Sequence, residues 1–227
     1  MSKYTMKKED HLNYLKARRS TSLKLMGDQR PSDDEITQIL EIGARTPDHG
    51  KLFPWHFIVI KDEARTEIGK LLREAYLKDE DENASEAKLD LESERFLRAP
   101  MAIIVVSRMR EGKHPIWEQF LSAGAVCMNL SHACHALGYG VNWLSEWYSY
   151  SPTFREGLGL DNRDNIAGVM YIGNIVESPE ERERPDLSAI TTQWTSIGQD
   201  LNKGDDTHKY HGKEFPNVKI FGLDKLD

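Results

Sequence analysis

The stretch that decides the fold is RTPDHGKLFPWHFIVI, residues 45–60. A helical pattern precedes it, and its last five residues, HFIVI, form a β-branched run typical of a buried strand. Between helix and strand lie turn formers mixed with charged or polar residues: Arg45, Pro47, Asp48, His49, Gly50, Lys51 and Pro54. A simple connection needs far fewer polar groups. The stretch therefore indicates a stiff loop that presents polar groups to a ligand, although Pro-Asp-His-Gly alone also suits an ordinary turn.

The helix before this loop begins with a capping box, in which Ser32 and Glu35 satisfy each other's backbone N–H groups. Apolar or small residues then recur with helical spacing at Ile36, Ile39, Leu40, Gly43 and Ala44. Other helices are predicted at 7–19, 62–78 and 117–138, and strands at 101–107, at the start of 139–147 and at 166–174. The order lacks an even βαβ rhythm and a GxGxxG loop, which favours an α+β domain with helices on a central sheet.

Size and charge narrow the class of protein further. A chain of 227 residues fits one domain of ordinary size with an appended tail. Its net charge of −7 argues against a nucleic acid or an anionic membrane as the main partner. No apolar run approaches the roughly 20 residues that span a bilayer, and the N-terminus has no apolar signal-peptide core.

The two cysteines, Cys127 and Cys134, lie seven residues apart on one predicted helix. This spacing separates them by about 10 Å along the helix axis, too far for a disulfide bond. We expect two buried thiols and a reducing, cytoplasmic location. The acidic run at residues 79–94 is expected to be a solvated or mobile segment without chemistry.

A candidate anion site occurs where the first predicted helix ends. Arg18, Arg19 and Ser20 are followed by Thr21 and Ser22, and guanidinium forks with hydroxyls suit a phosphate group. The alternative is structural, because basic residues in the last turn also complement the helix dipole.

A second candidate segment follows the predicted strand after the long helix. Trp143, Leu144 and Ser145 lie at the end of that strand, where ligand-contacting loops gather in many sheets, although Trp143 also suits a core position. His132 and His135 share a helix face but lack acidic partners at metal-ligand spacing, so we predict no metal site. No serine-nucleophile motif is visible either.

These segments occur together in an order that resembles the FMN-dependent nitroreductase family, in particular its short, single-domain bacterial branch. The matching segments are ARRSTS (17–22), ARTPDHGKLFPWHFIVI (44–60), WEQFLSAGAVCMNLSHACHALGYGVNWLS (117–145) and YIGN (171–174). The resemblance extends over roughly residues 8–194.

The resemblance implies a nitroreductase-like fold with a mostly antiparallel central sheet flanked by helices, in an interlocked homodimer that holds FMN at the subunit interface. The residues implied in FMN binding are Arg18, Arg19, Ser20, Ser22, Arg45, Pro47, Asp48, His49, Trp143, Leu144, Ser145 and Arg184, with Arg182 as the alternative to Arg184. The residues implied in nicotinamide nucleotide binding are Ala133, Cys134, His135, Ala136, Leu137 and Gly138.

The implied activity is an oxidoreductase in which NADH or NADPH reduces the FMN and leaves before a small electron-poor acceptor binds. Nitroaromatics, quinones and activated alkenes are acceptors of this kind. Because the flavin carries the chemistry, no catalytic side chain is expected. The alternatives are a specialised relative that reacts with oxygen or removes halogen, a non-catalytic flavin carrier or sensor, and a scaffold dimer without a nucleotide.

The sequence departs from the family pattern at three places. Ser22 stands where many relatives have a lysine, so that either another cation such as Lys51 acts there or the flavin has a lower potential. Phe53 precedes Pro54 where glutamine is frequent. Residues 195–227 have no counterpart in the short branch. We therefore expect an FMN-binding domain at 1–194 and a C-terminal extension at 195–227, packed on the partner subunit or near the active site.

Overall fold

The computed structural model describes residues 7–200, which divide into two units. Residues 7–179 belong to the first unit, and residues 180–200 of the second contain turns and bends but no helix or strand. Most of the predicted extension at 195–227 lies outside the described residues, so the predicted boundary after residue 194 stays a prediction.

The first unit is built around one antiparallel sheet. Its strands are β1 (Trp55–Lys61), β2 (Met101–Arg108), β3 (Tyr139–Leu144) and β4 (Asp164–Asn174). They are arranged in the order β1-β2-β4-β3, and every neighbouring pair is antiparallel. The predicted α+β class with a mostly antiparallel central sheet is confirmed.

Helices cover both faces of this sheet. The helices of the described chain are α1 (Lys8–Ala17), α2 (Asp33–Gly43), α3 (Ala64–Asp79), α4 (Glu86–Ser93), α5 (Ile116–Ala136) and α6 (Pro152–Gly157). On one face, α2 and α5 pack against Met101, Ile103 and Val105 of β2. On the other, α3 and α6 pack with Ala102 and Ile104. The continuous apolar run of β2 follows from this double burial.

The start of α2 and the end of α1 set the positions of the predicted site residues. Ser32 and Glu35 form the predicted capping box at the start of α2. Helix α1 ends at Ala17, two residues before the predicted end, because Arg18 already has an extended backbone (ψ 127°). The predicted phosphate-binding residues therefore lie just beyond the helix.

Most of the acidic run at 79–94 is exposed to solvent, as predicted, but its second half forms helix α4 (Glu86–Ser93), in which Leu89 and Glu92 are buried. Ser85 accepts a hydrogen bond from the Lys88 N–H at the start of α4. Leu89 is buried in the protein, and Glu92 is 0% exposed. Buried apolar surface and the cap stabilise the helix despite its charge.

Glu92 is a buried carboxylate with a full set of donors. Arg95 donates two hydrogen bonds to it, at 2.7 and 2.8 Å, and Lys88 and the Trp147 indole each donate one at 2.7 Å. Burial by itself raises the pKa of this carboxyl group, but these donors outweigh burial and lower the pKa to about 2. Glu92 therefore remains ionised inside the fold at neutral pH.

Both cysteines are free and buried, as the sequence predicted. Burial raises the pKa of the Cys127 and Cys134 thiols to about 12, so neither is a thiolate at neutral pH. Among the helices of residues 7–200, none has the length and apolar character needed to cross a membrane.

Candidate active site

The segment that follows α1 is docked on the edge strand β3. The Thr21 N–H donates to the Val141 carbonyl at 2.9 Å, and the Asn142 side-chain amide donates to the Thr21 carbonyl at 2.9 Å. A Cβ atom on Gly140 would lie 2.9 Å from the Thr21 side chain, so glycine allows this close approach. Two segments that are 120 residues apart in sequence, 17–22 and 142–145, thus become neighbours.

A second contact ties the end of α1 to α5. The Tyr14 hydroxyl donates to the His132 carbonyl at 2.8 Å and lies 3.1 Å from its Nδ1 atom. Burial and then the positive charge of Arg18 lower the pKa of both His132 and His135. The Arg18 guanidinium therefore lies near the last two turns of α5. Arg18 and Arg19 are half-buried, whereas Ser20 and Ser22 are exposed.

The loop between α2 and β1 has an unusual backbone that one carboxylate stabilises. Lys51 (φ 57°) and Phe53 (φ 49°) both adopt the left-handed region, which is costly for residues with a side chain. The Asp48 carboxylate accepts hydrogen bonds from the backbone N–H groups of Leu52 at 2.5 Å and Phe53 at 3.2 Å. Asp48 therefore acts first as a clamp for the loop conformation.

Helix α5 also holds this loop through its own side chains. Three hydrogen bonds connect them: Asn129 to Thr46 Oγ1 at 2.7 Å, Ser122 to the Pro47 carbonyl at 3.3 Å, and Glu118 to His49 Nδ1 at 2.7 Å. At 3.6 residues per turn, these three α5 residues and His132 lie within an arc of about 80°. Asn129 and His132 are about 4.5 Å apart along the axis. One side of α5 thus holds the start of the loop at Thr46 about one turn from Tyr14 of α1, and holds the rest of the loop further towards the N-terminal end of the helix.

His49 is held from two sides at the N-terminal end of α5. Besides its bond to Glu118, its ring stacks on His114, with ring centroids 3.4 Å apart. Its side chain is otherwise exposed. The loop thus presents a histidine whose ring orientation is set by its neighbours.

The end of β3 presents a tryptophan to the surface. Trp143 is 41% exposed and is not a core residue, so the structural alternative for this position is wrong. Leu144 packs against the opposite face of the sheet, and Ser145 is exposed. The next residue, Glu146, is paired with Arg95 at 2.9 Å and with Arg98, which anchors the chain where it leaves the strand.

The residues implied in nicotinamide nucleotide binding differ in their exposure to solvent. Ala133 and Cys134 are fully buried in the core between α5 and the sheet. Ala136 and Gly138 are exposed, whereas His135 and Leu137 are half-buried. Of these six residues, only those at the helix end, from His135 to Gly138, are accessible to a ligand.

Other predicted residues have simpler surroundings. Pro47 is exposed, and Arg184 lies in the second unit, where it pairs with Glu181 at 2.8 Å. Within residues 7–200, no ion pair involves Arg18 or Arg45. Their guanidinium groups thus keep donors for an anionic ligand, as an FMN phosphate requires. The same part of the chain has no group of three or more His, Cys, Asp or Glu residues that could hold a metal ion.

We did not identify from the sequence the residues that position the predicted ligand-binding segments without belonging to them. Tyr14, Glu118, Ser122 and Asn129 do not belong to any predicted ligand set, yet they position the segments that do. The spacing of the last three on one helix side was a usable signal. Their partners, however, lie 69 to 83 residues away in the sequence.

Comparison with known proteins identifies the family of the chain. The model of the nitroreductase family matches residues 15–174. The provisionally named NAD(P)H nitroreductase YdjA of Escherichia coli K12 is 36% identical over 165 residues, which are 72% of this chain and 87% of YdjA. The chain belongs to the nitroreductase family, a family of oxidoreductases.

Solved structures confirm the fold. A nitroreductase-like protein from Bacillus cereus superposes with a TM-score of 0.72 at 24% identity, covering 86% of this chain and all of that one. A protein from Desulfovibrio desulfuricans, provisionally named a nitroreductase and solved in complex with FMN, gives a TM-score of 0.61 at 24% identity, with 82% of this chain and 96% of that one covered. At this identity the structural likeness establishes the fold alone.

We expect Asp48→Ala to lower the free energy of unfolding by about 2 kcal/mol, because two backbone N–H groups lose a charged acceptor while the loop keeps its two left-handed residues. Urea denaturation measures the change. Asp48→Asn retains one acceptor oxygen and is the matched control, with a smaller expected loss. Equal stability of Asp48→Ala and the wild type would show that the clamp is unimportant.

Proposed function

We propose that the protein is an FMN-dependent oxidoreductase that uses NADH or NADPH to reduce small electron-poor acceptors such as nitroaromatics and quinones. The observation that carries this proposal is that Thr21 joins segment 17–22 to the start of segment 142–145, while α5 holds the loop 45–54 and, through His132, helix α1. Relatives named as NAD(P)H nitroreductases and a solved relative in complex with FMN support it.

In this proposal, each segment binds a different part of the cofactor. Arg18, Arg19, Ser20 and Ser22 hold the phosphate and the ribityl chain, with Arg184 as a later phosphate-binding cation. The ring is held by the loop and the strand end, through Arg45, Pro47, Asp48, His49, Trp143, Leu144 and Ser145. The exposed hydroxyls of Ser20 and Ser22 and the guanidinium group of Arg18, which has no ion pair within residues 7–200, fit the charged phosphate end of the cofactor.

The bound flavin would accept a hydride from the nicotinamide and pass two electrons to the acceptor. The protein's part is to orient the two partners and exclude water, so no acid, base or nucleophile is needed on the chain. A cycle in which NAD(P)H leaves before the acceptor binds is proposed because both would use one exposed surface. The end of α5 from His135 to Gly138 is the proposed contact for the nicotinamide nucleotide.

We also propose that the active form is a homodimer, and α5 provides the supporting surface. Opposite its core side, α5 carries an apolar stripe at Trp117, Leu121, Gly124 and Met128, in which Trp117 is 55% and Leu121 54% exposed. A Cβ atom added at Gly124 would meet nothing within 4 Å. A long exposed stripe of this kind is typical of a surface that another subunit covers.

Replacing Leu121 with aspartate should convert the dimer into monomer, because it places a charge in the centre of the stripe. Sedimentation equilibrium measures the mass independently of shape. Leu91→Asp on α4 is the control, since Leu91 is equally exposed at 58% but lies outside the stripe. A wild-type protein that sediments as a monomer would refute the dimer, and an unchanged mass for Leu121→Asp would refute this interface.

Visible spectroscopy of the purified protein tests the main proposal. We expect a yellow protein whose flavin band bleaches when NADH or NADPH is added without oxygen and returns when a quinone is added. Bound FMN that only dithionite reduces would indicate the flavin carrier or sensor instead. Turnover that requires oxygen, or release of halide from a halogenated aromatic, would indicate a specialised relative. A colourless protein that does not bind added FMN contradicts the proposal.

Two further predictions belong to this proposal. We propose the cytoplasm as the location, which the two free, buried thiols support. The C-terminal extension at 195–227 is proposed to pack on the partner subunit or near the active site.

A further inference from the structure

The indole of Trp143 lies against the neighbouring strand, with its Nε1 edge close to Gly168 and Ala167. Trp143 on β3 pairs with Met170 on β4. Its indole reaches diagonally along β4, where the Nε1 atom would lie only 2.0 Å from a Cβ atom placed on Gly168. A real Cβ atom cannot occupy that position. The absence of a side chain at Gly168 therefore creates the space in which the indole lies.

A β-bulge in the sheet provides a second contact that holds the indole in place. Val105 pairs with Gly168 and Val106 pairs with Ile166, so that Ala167 has no partner on β2 and forms a β-bulge. The Ala167 carbonyl accepts a hydrogen bond from Trp143 Nε1 at 3.3 Å. Two features of β4 therefore fix the indole: Gly168 leaves space for it, and the Ala167 carbonyl accepts the hydrogen bond of its only polar atom. We call Gly168 and the bulge at Ala167 together the indole seat.

The seat leaves one side of the indole open. Trp143 remains 41% exposed although its ring is held against β4. A large aromatic side chain at a surface usually loses conformational freedom when a ligand stacks on it, and that loss weakens binding. An indole that is already fixed avoids this cost, so it is a preformed platform for a planar ligand.

We propose that Gly168 and the bulge at Ala167 are positioning elements that set the Trp143 indole as a stacking platform for a planar aromatic ligand. This inference rests on the proposed function, in which that ligand is the flavin ring of FMN. Gly168 itself lies beneath the indole and acts only through it. The segment 166–170 thereby contributes to the site without contributing a ligand-binding side chain.

The test uses Gly168→Ala, Trp143→Ala and the double variant, each stripped of cofactor and titrated with FMN while flavin fluorescence is followed. The added methyl group of Gly168→Ala meets the indole, a side chain that can move, so the fold is expected to survive. We expect each single variant to raise the dissociation constant about ten-fold. The double variant should bind no more weakly than Trp143→Ala, because both substitutions remove one platform.

Two outcomes of the titration overturn the proposal. One is a Gly168→Ala protein that binds FMN as tightly as the wild type. The other is a double variant in which the two losses multiply to about a hundred-fold, because Gly168 would then act by a route other than the indole. Trp143→Phe serves as the conservative variant, since it keeps a ring but loses the bond to Ala167, and it should recover part of the affinity lost in Trp143→Ala.

A measurement without FMN separates this proposal from the proposed function. The chain has five tryptophans, so 5-fluorotryptophan labelling gives five ¹⁹F resonances, of which Trp143→Phe identifies one. Gly168→Ala should shift that resonance and leave the other four unchanged. An unshifted Trp143 resonance overturns the seat. If the wild type does not bind FMN at all, the proposed function fails, while a shifted resonance still supports Gly168 as the positioning element.

Discussion

Replacing Glu92 with alanine is expected to lower the free energy of unfolding by about 3–5 kcal/mol. Glu92 is completely buried and accepts hydrogen bonds from Arg95, Lys88 and Trp147. Alanine would leave these donors without an acceptor and the Arg95 charge with less compensation. Denaturant unfolding followed by circular dichroism measures the loss. It should appear as a lower midpoint with an unchanged slope.

The same helix provides the control. Glu86 lies in the first turn of α4 and pairs with Arg73, but it is exposed to solvent. Glu86→Ala should change the free energy of unfolding by no more than about 1 kcal/mol, as is typical of surface ion pairs. Equal effects of the two substitutions would mean that burial of Glu92 does not matter to stability.

The buried glutamate also predicts how stability depends on pH. The pKa of Glu92 is about 2 in the folded protein, below the ordinary value of 4.5. A carboxyl group with a depressed folded pKa stabilises the fold above its unfolded pKa, and this contribution disappears as the pH falls from about 4.5 to 2. The loss amounts to about 3 kcal/mol. Glu92→Ala should therefore have a flatter stability profile than the wild type over this range.

The second large effect is expected for Arg18→Ala, which should weaken the binding of FMN. Arg18→Ala removes charge-assisted hydrogen bonds of roughly 1.5–3 kcal/mol to the proposed FMN phosphate. This loss corresponds to a weakening of at least ten-fold, and dialysis followed by a flavin absorbance measurement detects it. Lys16→Ala is the matched control, because Lys16 is an exposed cation on the last turn of the same helix. Unchanged FMN content in Arg18→Ala after extensive dialysis would exclude Arg18 as a phosphate ligand.

A titration without cofactor checks whether Arg18 points where the structure places it. Burial and then the charge of Arg18 lower the pKa of His132. Arg18→Ala should therefore raise the His132 pKa, as measured by NMR, whereas Lys16→Ala should leave it unchanged. An unshifted His132 would place the guanidinium away from the end of α5.

Local sequence patterns predicted much of the fold correctly. Ser32 and Glu35 predicted the start of α2, and HFIVI and MAIIVVS predicted two strands that are found as β1 and β2. These patterns succeed because capping and β-branched packing depend on residues close together in the chain. The run at 79–94 shows the limit of local patterns, because most of it is exposed as predicted but Glu92 is buried. Its charges suggested solvent exposure, and only partners outside the run, such as Arg95 and Trp147, make Glu92 a buried residue.

The sequence by itself determined the family of the protein, since the order and spacing of its motifs resemble those of nitroreductases and the family model matches residues 15–174. It also determined which residue types are present to bind an anion and a planar ring. Only the tertiary structure decided which of those residues meet. Thr21 donates a hydrogen bond to Val141, and the Trp143 indole contacts Gly168, although the residues of each pair are far apart in the sequence. Such contacts follow from strand pairing and helix packing, which the local pattern of apolar and polar residues does not encode.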